Sequence, residues 1–202
     1  MDSWLDELTK RRLNRRARQL EWATMGWNVV GVAVLVVAAL GASSVALAGF
    51  ALDSVIEIGA SGVVLWELAD VQEKRRARAV QLIGVAFVLL GIYLAIQSTW
   101  VLAVGFVPRH STLGILWTGA TFLSMIALAR GKSRVGHQLG NQVVIAESRV
   151  TMVDAVLAGA VMVGLALNAL LGWWWADPLT GYVILYYALR EARESFAHDQ
   201  AP

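Results

Sequence analysis

The sequence predicts an all-α, polytopic membrane protein with six transmembrane helices and both termini in the cytoplasm, and three observations carry that prediction. Hydrophobic residues fill 57% of the 202 positions and charged residues only 16%, whereas a soluble domain holds roughly 45–50% apolar residues. The apolar residues gather in runs near the ~20 residues that a helix needs to cross a hydrocarbon core of ~30 Å. The basic residues are bunched between alternate runs, as retention of positive loops in the cytoplasm requires. A net charge of +2 hides that bunching. Cysteine is absent, which excludes a disulfide framework, a thiolate metal site and a cysteine nucleophile.

Residues 1–22 form a basic amphipathic N-terminal segment in which Trp4, Leu5, Leu8, Leu13 and Leu20 recur among the charges in a loose helical pattern. Two readings stay open for it: a helix lying along the inner leaflet, and a solvated positive-inside signal. The first apolar run, 23–42, follows a charged leader that contains Asp2, Asp6, Glu7 and Glu21 and shows no small-residue cleavage pattern, so it reads as a retained span rather than a signal peptide. The second run, 44–66, carries two acids. The third and fourth are 79–104 and 112–129, and the fifth, 150–172, has a polar face. The sixth, 177–189, is short; Trp173 to Trp175 before it and Arg190 after it serve as interfacial anchors. Without it the count would be five and the C-terminus would change sides. Residues 23–192 thus make one six-helix transmembrane domain, and 193–202 a short cytoplasmic tail.

Orientation follows from the basic residues. Lys10 to Arg18, Lys74 to Arg78, Arg130 to Arg149, and Arg190 with Arg193 hold every Lys and Arg except Arg109. Six spans with both ends cytoplasmic place all four groups on one side. The tryptophans Trp22, Trp27, Trp66, Trp100 and Trp173 to Trp175 stand near span ends, as interfacial anchors do.

The stretch GFALDSVIEIGASG places Asp53 and Glu57 one turn apart on one side of the second helix. A charged carboxylate at mid-membrane costs about 2.5–3.5 kcal/mol on insertion scales. No Lys or Arg lies inside the first three spans, and Arg149 is the nearest candidate partner. In the fifth span Glu147, Thr151, Asp154, Val161 and Asn168 recur along one face. Small residues flank both sets of acids: Gly49 and Gly59 to Gly62 on one helix, Ala158 to Ala160 and Gly164 on the other. Helices with such residues approach closely in a membrane. Packing them together would gather Asp53, Glu57 and Asp154 into an oxygen-rich cluster that calls for a divalent ion, or for protons in its absence.

SSVALAGFALDSVIEIGAS resembles the second span of the cation diffusion facilitator superfamily, with Asp53 and Glu57 at the positions of its D-x-x-x-D pair. AESRVTMVDAVL and GWWWADPLTGYVIL are similar to its fifth and sixth spans, including Asp177 and Pro178 at the start of the last helix, and Asn28 resembles a recurrent residue of its first span. The resemblance implies a divalent metal transporter that exports cytosolic Zn²⁺ or a related ion (Mn²⁺, Cd²⁺, Fe²⁺ or Co²⁺) in exchange for protons. It implies a homodimer in the cell's inner or plasma membrane, with no prosthetic group and no nucleic-acid partner. The expected metal ligands are Asp53, Glu57 and Asp154, with Glu147 as a further carboxylate. Two departures stand out. Val150 occupies the position of the family's usual fifth-span His, which leaves oxygen ligands and a preference for harder ions such as Mn²⁺. The chain also ends soon after the sixth span, like the short, tail-less branch of the superfamily.

Two other classes compete with transport. A membrane enzyme of the phosphatidyl transferase type would need Asp-Gly and Ala-Arg elements that are absent before Asp53, and no Ser/His pair is placed for hydrolysis, so the chain is not expected to be an enzyme. A non-transporting membrane partner would bind metal statically or pack within a larger complex. His110, His137 and His198 lie outside the spans and read as loop residues, with metal delivery the minor reading for His137. Thr118, Thr121 and Ser124 are expected to bond their own helix. Glu67, Asp70 and Glu73 read as a solvated face beside the Arg run or as a metal-attracting vestibule.

Overall fold

A computed structural model describes the backbone of residues 2–67 and 73–197 and the side chains of residues 8–66, 84–141, 143–194 and 196. Among these residues the chain forms six α-helices and no strand: α1 (Asp2–Ala42), α2 (Val45–Glu67), α3 (Glu73–Val104), α4 (Thr112–Leu139), α5 (Gln142–Leu171) and α6 (Ala176–Ala197). The first five are long and apolar enough to cross a membrane. The sixth has 22 residues, about 33 Å at ~1.5 Å per residue. Past Leu189 it turns to Arg190, Glu191, Arg193 and Glu194, and this charged third keeps it out of that class.

Burial runs opposite to that of a water-soluble bundle. Large aliphatic side chains stand outside, with Leu170 83%, Leu40 78% and Leu116 68% exposed, while Glu21, Asn28, Ser61, Lys132 and Thr151 are fully or almost fully buried. In water such a surface would aggregate. Against lipid tails it is the low-energy arrangement, because hydrocarbon accepts Leu and Val and rejects unsatisfied polar groups. The inversion belongs to a helical membrane protein.

Local signals fix where the helices begin and end. Ser44 accepts from Leu47 N (3.1 Å) at the start of α2, and Ser111 accepts from Gly114 N (3.0 Å) at the start of α4. Between α4 and α5 the chain reverses in two residues. Gly140 takes the left-handed conformation (φ 63°) and Asn141 accepts from Val143 N and Val144 N. A left-handed residue closes a helix at little cost only when it lacks a Cβ. The sequence suggested a charged connection over 130–149; instead that segment is helical apart from the turn, because Arg130, Lys132 and Arg134 end the apolar run without ending the helix. Similarly, the N-terminal segment 1–22, expected as a separate element, runs from Asp2 into the first span without a break. Leu13, Ala17 and Leu20 pack there with Val64, Val135, Val144 and Leu139 at one end of the bundle.

Helices α1, α2, α5 and α4 pack in a closed ring, each against the next, and α3 pairs with α6 to lean on α2, with α6 also touching α5. Helix α2 therefore stands at the centre, against α1, α3, α5 and α6. Close approach needs small residues there: a Cβ on Gly49 would lie 2.5 Å from Leu94 Cδ2 of α3, and one on Gly164 of α5 would strike the Thr180 hydroxyl of α6.

The register along α2 and α5 divides the interior into layers. An apolar core with Leu35, Phe50, Leu94, Val161, Leu165 and Ile184 fills the half nearest the α1–α2 connection. Next come Asp53, Glu57 and Asp154, then Ser61, Glu147 and Thr151, and last the small apolar cluster around Val64 and Val144. Both polar layers lie inside the structure, one helical turn or so apart.

Candidate functional site

The first polar layer is a cavity between the four-helix ring and the α3–α6 pair. Asp53 and Glu57 of α2, Asp154 of α5 and Glu191 of α6 line it, with Phe87 and Tyr187 among the apolar and aromatic walls. Its volume is about 10 Å³, on a measure where one water needs about 10–15 Å³. There is room for one bare ion or one water, not for a hydrated ion.

Four carboxylates thus share a small space, and two of them have nothing to hold. Glu57 is 3% and Asp154 3% exposed, and none of their four carboxylate oxygens has a hydrogen-bond partner. The two groups lie close enough to share a proton if one of them carries it. Asp53 faces both Glu57 and Glu191. An ionised carboxylate taken out of water without a donor is expensive. As the side chains stand, however, no group of three or more Asp, Glu or His among the described residues is arranged to hold a metal ion. The acids line one cavity without converging to ligating distance.

The second polar layer is different in kind. Lys132, near the end of α4, is wholly buried. Its ammonium donates to Glu21 Oε2 of α1 (2.8 Å), to Glu147 Oε1 of α5 (3.2 Å) and to Thr151 Oγ1 of α5 (3.1 Å). Ser61 of α2 donates to the same Glu147 oxygen (3.4 Å). An ammonium has three N–H bonds, and all three are used. Side chains from all four helices of the ring meet in this knot. Thr151 also stands near Glu57 without forming a hydrogen bond to it, so the knot and the cavity touch.

One sequence expectation is refined at this point and another changes. Asp53 and Glu57 were read as having no cationic partner, with Arg149 the nearest candidate; among the described residues neither forms an ion pair, and the nearby cation is Lys132, which is bonded to Glu21 and Glu147. Glu147, expected beside the other three as a ligand, points into the knot instead. Sequence reading missed Lys132 because it looked like one more residue of a basic cytoplasmic connection. It missed Glu191 because that residue follows the last apolar run. Helical spacing could have found both: Tyr187 and Glu191 are one turn apart on α6, and Lys132 follows Thr118, Thr121 and Met125 along the buried face of α4.

The other singled-out polar residues do not line the cavity. Asp177 accepts from the Ser44 hydroxyl, from Val45 N (3.0 Å) and from Ala46 N (3.4 Å), so the start of α6 caps the start of α2. Asn168 donates to Pro108 O (3.1 Å) and ties α5 to the α3–α4 connection. Thr118 donates to Gly114 O (2.7 Å) within its own helix, as expected, whereas Thr121 accepts from Trp27 Nε1 (3.0 Å) across to α1. His137 is exposed and bonds Ser133 O of its own helix (2.7 Å). Asn28 is buried with its Nδ2 unpartnered. Glu67, Asp70 and Glu73 lie outside the residues whose side chains are described. No protein-family model matches the chain, and no curated protein is significantly similar to it.

Proposed function

We propose that the chain is a divalent cation transporter of the cation diffusion facilitator type, built from six spans with both termini in the cytoplasm. The single observation that carries this reading is the pair of buried carboxylates, Glu57 and Asp154, whose oxygens have no partner and which line a cavity with Asp53 and Glu191. Soluble-protein logic would have replaced such groups with apolar residues or paired them. Inside a membrane an unpaired ionisable residue marks an ion or proton path.

The cargo is a divalent ion, Zn²⁺ or a harder relative such as Mn²⁺, since the cavity offers oxygen and no imidazole. Asp53, Glu57 and Asp154 bind it, and Glu191 at the edge of the cavity guides it in or out. Binding displaces protons from the carboxyl groups, and protons replace the ion when it leaves. The tight cavity supports a dehydrated cargo, whose affinity must stay modest so that the ion can leave again. Sliding of the α3–α6 pair against the ring would carry Glu191 toward Asp53, Glu57 and Asp154 or away from them, and so open or close the cavity as alternating access requires.

The test is ion flux in proteoliposomes containing the purified chain. Saturable uptake of Mn²⁺ or Zn²⁺ with opposite proton movement is expected, and Asp154→Asn should reduce it at least tenfold. Undiminished flux in both Asp154→Asn and Asp53→Ala would sink the proposal.

A further inference from the structure

The carboxylate cavity and the knot leave one feature of the bundle without a role: a groove on the surface between α1 and α4, with a volume of about 410 Å³, within the ~300–1,000 Å³ typical of ligand sites. Arg16, Gln19 and Leu20 of α1 and Gly131, Arg134 and Gln138 of α4 line it, and no acid is among the described residues that do. Both arginines are exposed, and neither guanidinium has an ion pair or a hydrogen bond among the described residues. The depth of the groove in a membrane follows from where the apolar runs stop. That of α1 begins at Ala23 and that of α4 ends at Ala129. Leu20 and Gly131 stand beside those boundaries, and Arg16 and Gln138 lie one to two turns farther out. The groove therefore opens at the level of lipid headgroups, on the side of the bundle where basic residues gather. Toward the hydrocarbon its two walls continue as small residues. Arg16, Gln19, Ala23 and Gly26 share one side of α1, and Ala120, Ala127, Gly131 and Arg134 share one side of α4. Ala23, Gly26, Ala120 and Ala127 are all exposed, and a Cβ on Gly26 would meet nothing within 4 Å. They leave a furrow beneath the arginines.

We propose that this groove seats one anionic phospholipid, with its phosphate between Arg16 and Arg134 and its tails in the furrow below. The site stands apart from the transport reading and uses none of its residues. Phosphate is the anion that a membrane supplies at this depth. A guanidinium presents its N–H groups as a fork that takes two phosphate oxygens at once, and basic pockets between helices bind anionic headgroups in this way. Gln19 and Gln138 add neutral donors and acceptors, which suits a headgroup with free hydroxyls such as that of phosphatidylglycerol. The lack of an acid in the groove sets the selectivity. A choline headgroup would bring a further cation to two arginines with no carboxylate to receive it, so phosphatidylcholine is disfavoured. A second copy of the chain is disfavoured for a related reason. Small residues do let a partner helix approach, but a two-fold interface sets a patch against itself, and guanidinium would then face guanidinium. Once bound, the lipid adds a phosphate bridge from α1 to α4 near the level at which Glu21 and Lys132 already join them.

Native mass spectrometry of the full chain in mild detergent, titrated with phosphatidylglycerol, reads both the number of lipids bound and their affinity. One tightly held phosphatidylglycerol per chain is expected, with phosphatidylcholine of the same tails at least tenfold weaker. Arg16→Gln with Arg134→Gln should weaken phosphatidylglycerol at least tenfold. Arg18→Gln with Arg130→Gln removes as much charge from exposed positions outside the groove and should change the affinity less than twofold. Ala23→Leu with Ala127→Leu fills the furrow and should weaken the lipid severalfold. Equal losses in the two arginine pairs would mean that bulk charge alone attracts the lipid, and the site falls. Phosphatidylcholine bound as tightly as phosphatidylglycerol by the unaltered chain overturns it too, whatever the variants do. Glycerol 3-phosphate that displaces the lipid at an equal concentration would make this a free-phosphate site and overturn the assignment to a lipid. A dimer that needs both groove arginines and takes up no phosphatidylglycerol would give the groove to a second copy and overturn the proposal as well.

Discussion

The two polar layers contain the same chemistry in opposite conditions. In the knot, two carboxylates and one ammonium from α1, α4 and α5 pair at 2.8–3.2 Å, with Glu21 Oε1 left without a partner. One turn away, Glu57 and Asp154 are as deeply buried and have no donor at all. Had both layers been built for stability, both would carry counter-charges, since a half-satisfied network is worse than an apolar core. The difference separates charge that joins helices from carboxylates left without a counter-charge. Substitutions in each layer should therefore differ in sign as well as in size.

The largest effect is expected at Lys132. Lys132→Met leaves Glu21 and Glu147 buried without a cation, and removing one partner of a buried pair costs about 3–5 kcal/mol. Thermal unfolding of the full chain in mild detergent should show a large fall in midpoint. Adding Glu21→Gln and Glu147→Gln to Lys132→Met should recover most of it, because a neutral set no longer leaves charge stranded. Equal instability of the single and triple variants would mean that packing, not charge, governs this layer.

Asp177 sharpens the contrast, since it is a buried carboxylate served by neutral donors alone. Asp177→Ala strands the Ser44 hydroxyl and the first amides of α2, and losing hydrogen bonds to a charged acceptor costs about 1.5–3 kcal/mol. Urea or SDS titration should register the loss without any change in ion binding. A change in Mn²⁺ affinity would place Asp177 in the transport path rather than at a cap.

The cavity should respond in the opposite direction. Asp154→Asn removes a buried acid that must either stay charged without a partner or take up a proton, and relief of that cost should stabilise the fold by about 1 kcal/mol. The same variant should lose ion flux. A protein made less stable by Asp154→Asn would show that this carboxylate is structurally paired, and the distinction between the layers would fail.

How far these layers could be read in the sequence depends on what marks them. Helices α2 and α5 stood out because Asp53, Glu57 and Asp154 interrupt long apolar runs, and an acid in such a run has few explanations. The packing of α2 against α5 followed from glycine and alanine near those acids. Lys132 and Glu21 were hidden because they lie where an apolar run ends and charges are ordinary. Only the continuation of α4 to Leu139 and of α1 back through Ala17 turns those two positions inward. Helix length, not composition, decides that, and helix ends are set by Gly140 and Asn141, more than ten residues past the last apolar residue of the run. Polar spacing along α5 misled in a related way. Glu147, Thr151, Asp154 and Asn168 form one stripe on paper, yet the stripe serves three neighbours in turn: Lys132, the cavity and Pro108.

The smallest effect is expected at Trp27, and it tests whether charge or bonding makes the knot matter. Trp27 stacks on Trp117 with ring centroids 5.1 Å apart and donates Nε1–H to Thr121, so it joins α1 to α4 along the seam that Glu21 and Lys132 also bridge. Trp27→Phe keeps an aromatic ring in the stack and removes the interhelical hydrogen bond, a neutral contact worth about 0.6 kcal/mol in a membrane bundle. The unfolding midpoint should move by a small fraction of the shift seen for Lys132→Met. The two contacts cross the same helix pair, so a large gap between them assigns the cost of Lys132→Met to the carboxylates left behind. If the two shifts were equal, the seam would simply be sensitive to any lost contact, and stranded charge would not set the knot apart from the rest of the seam.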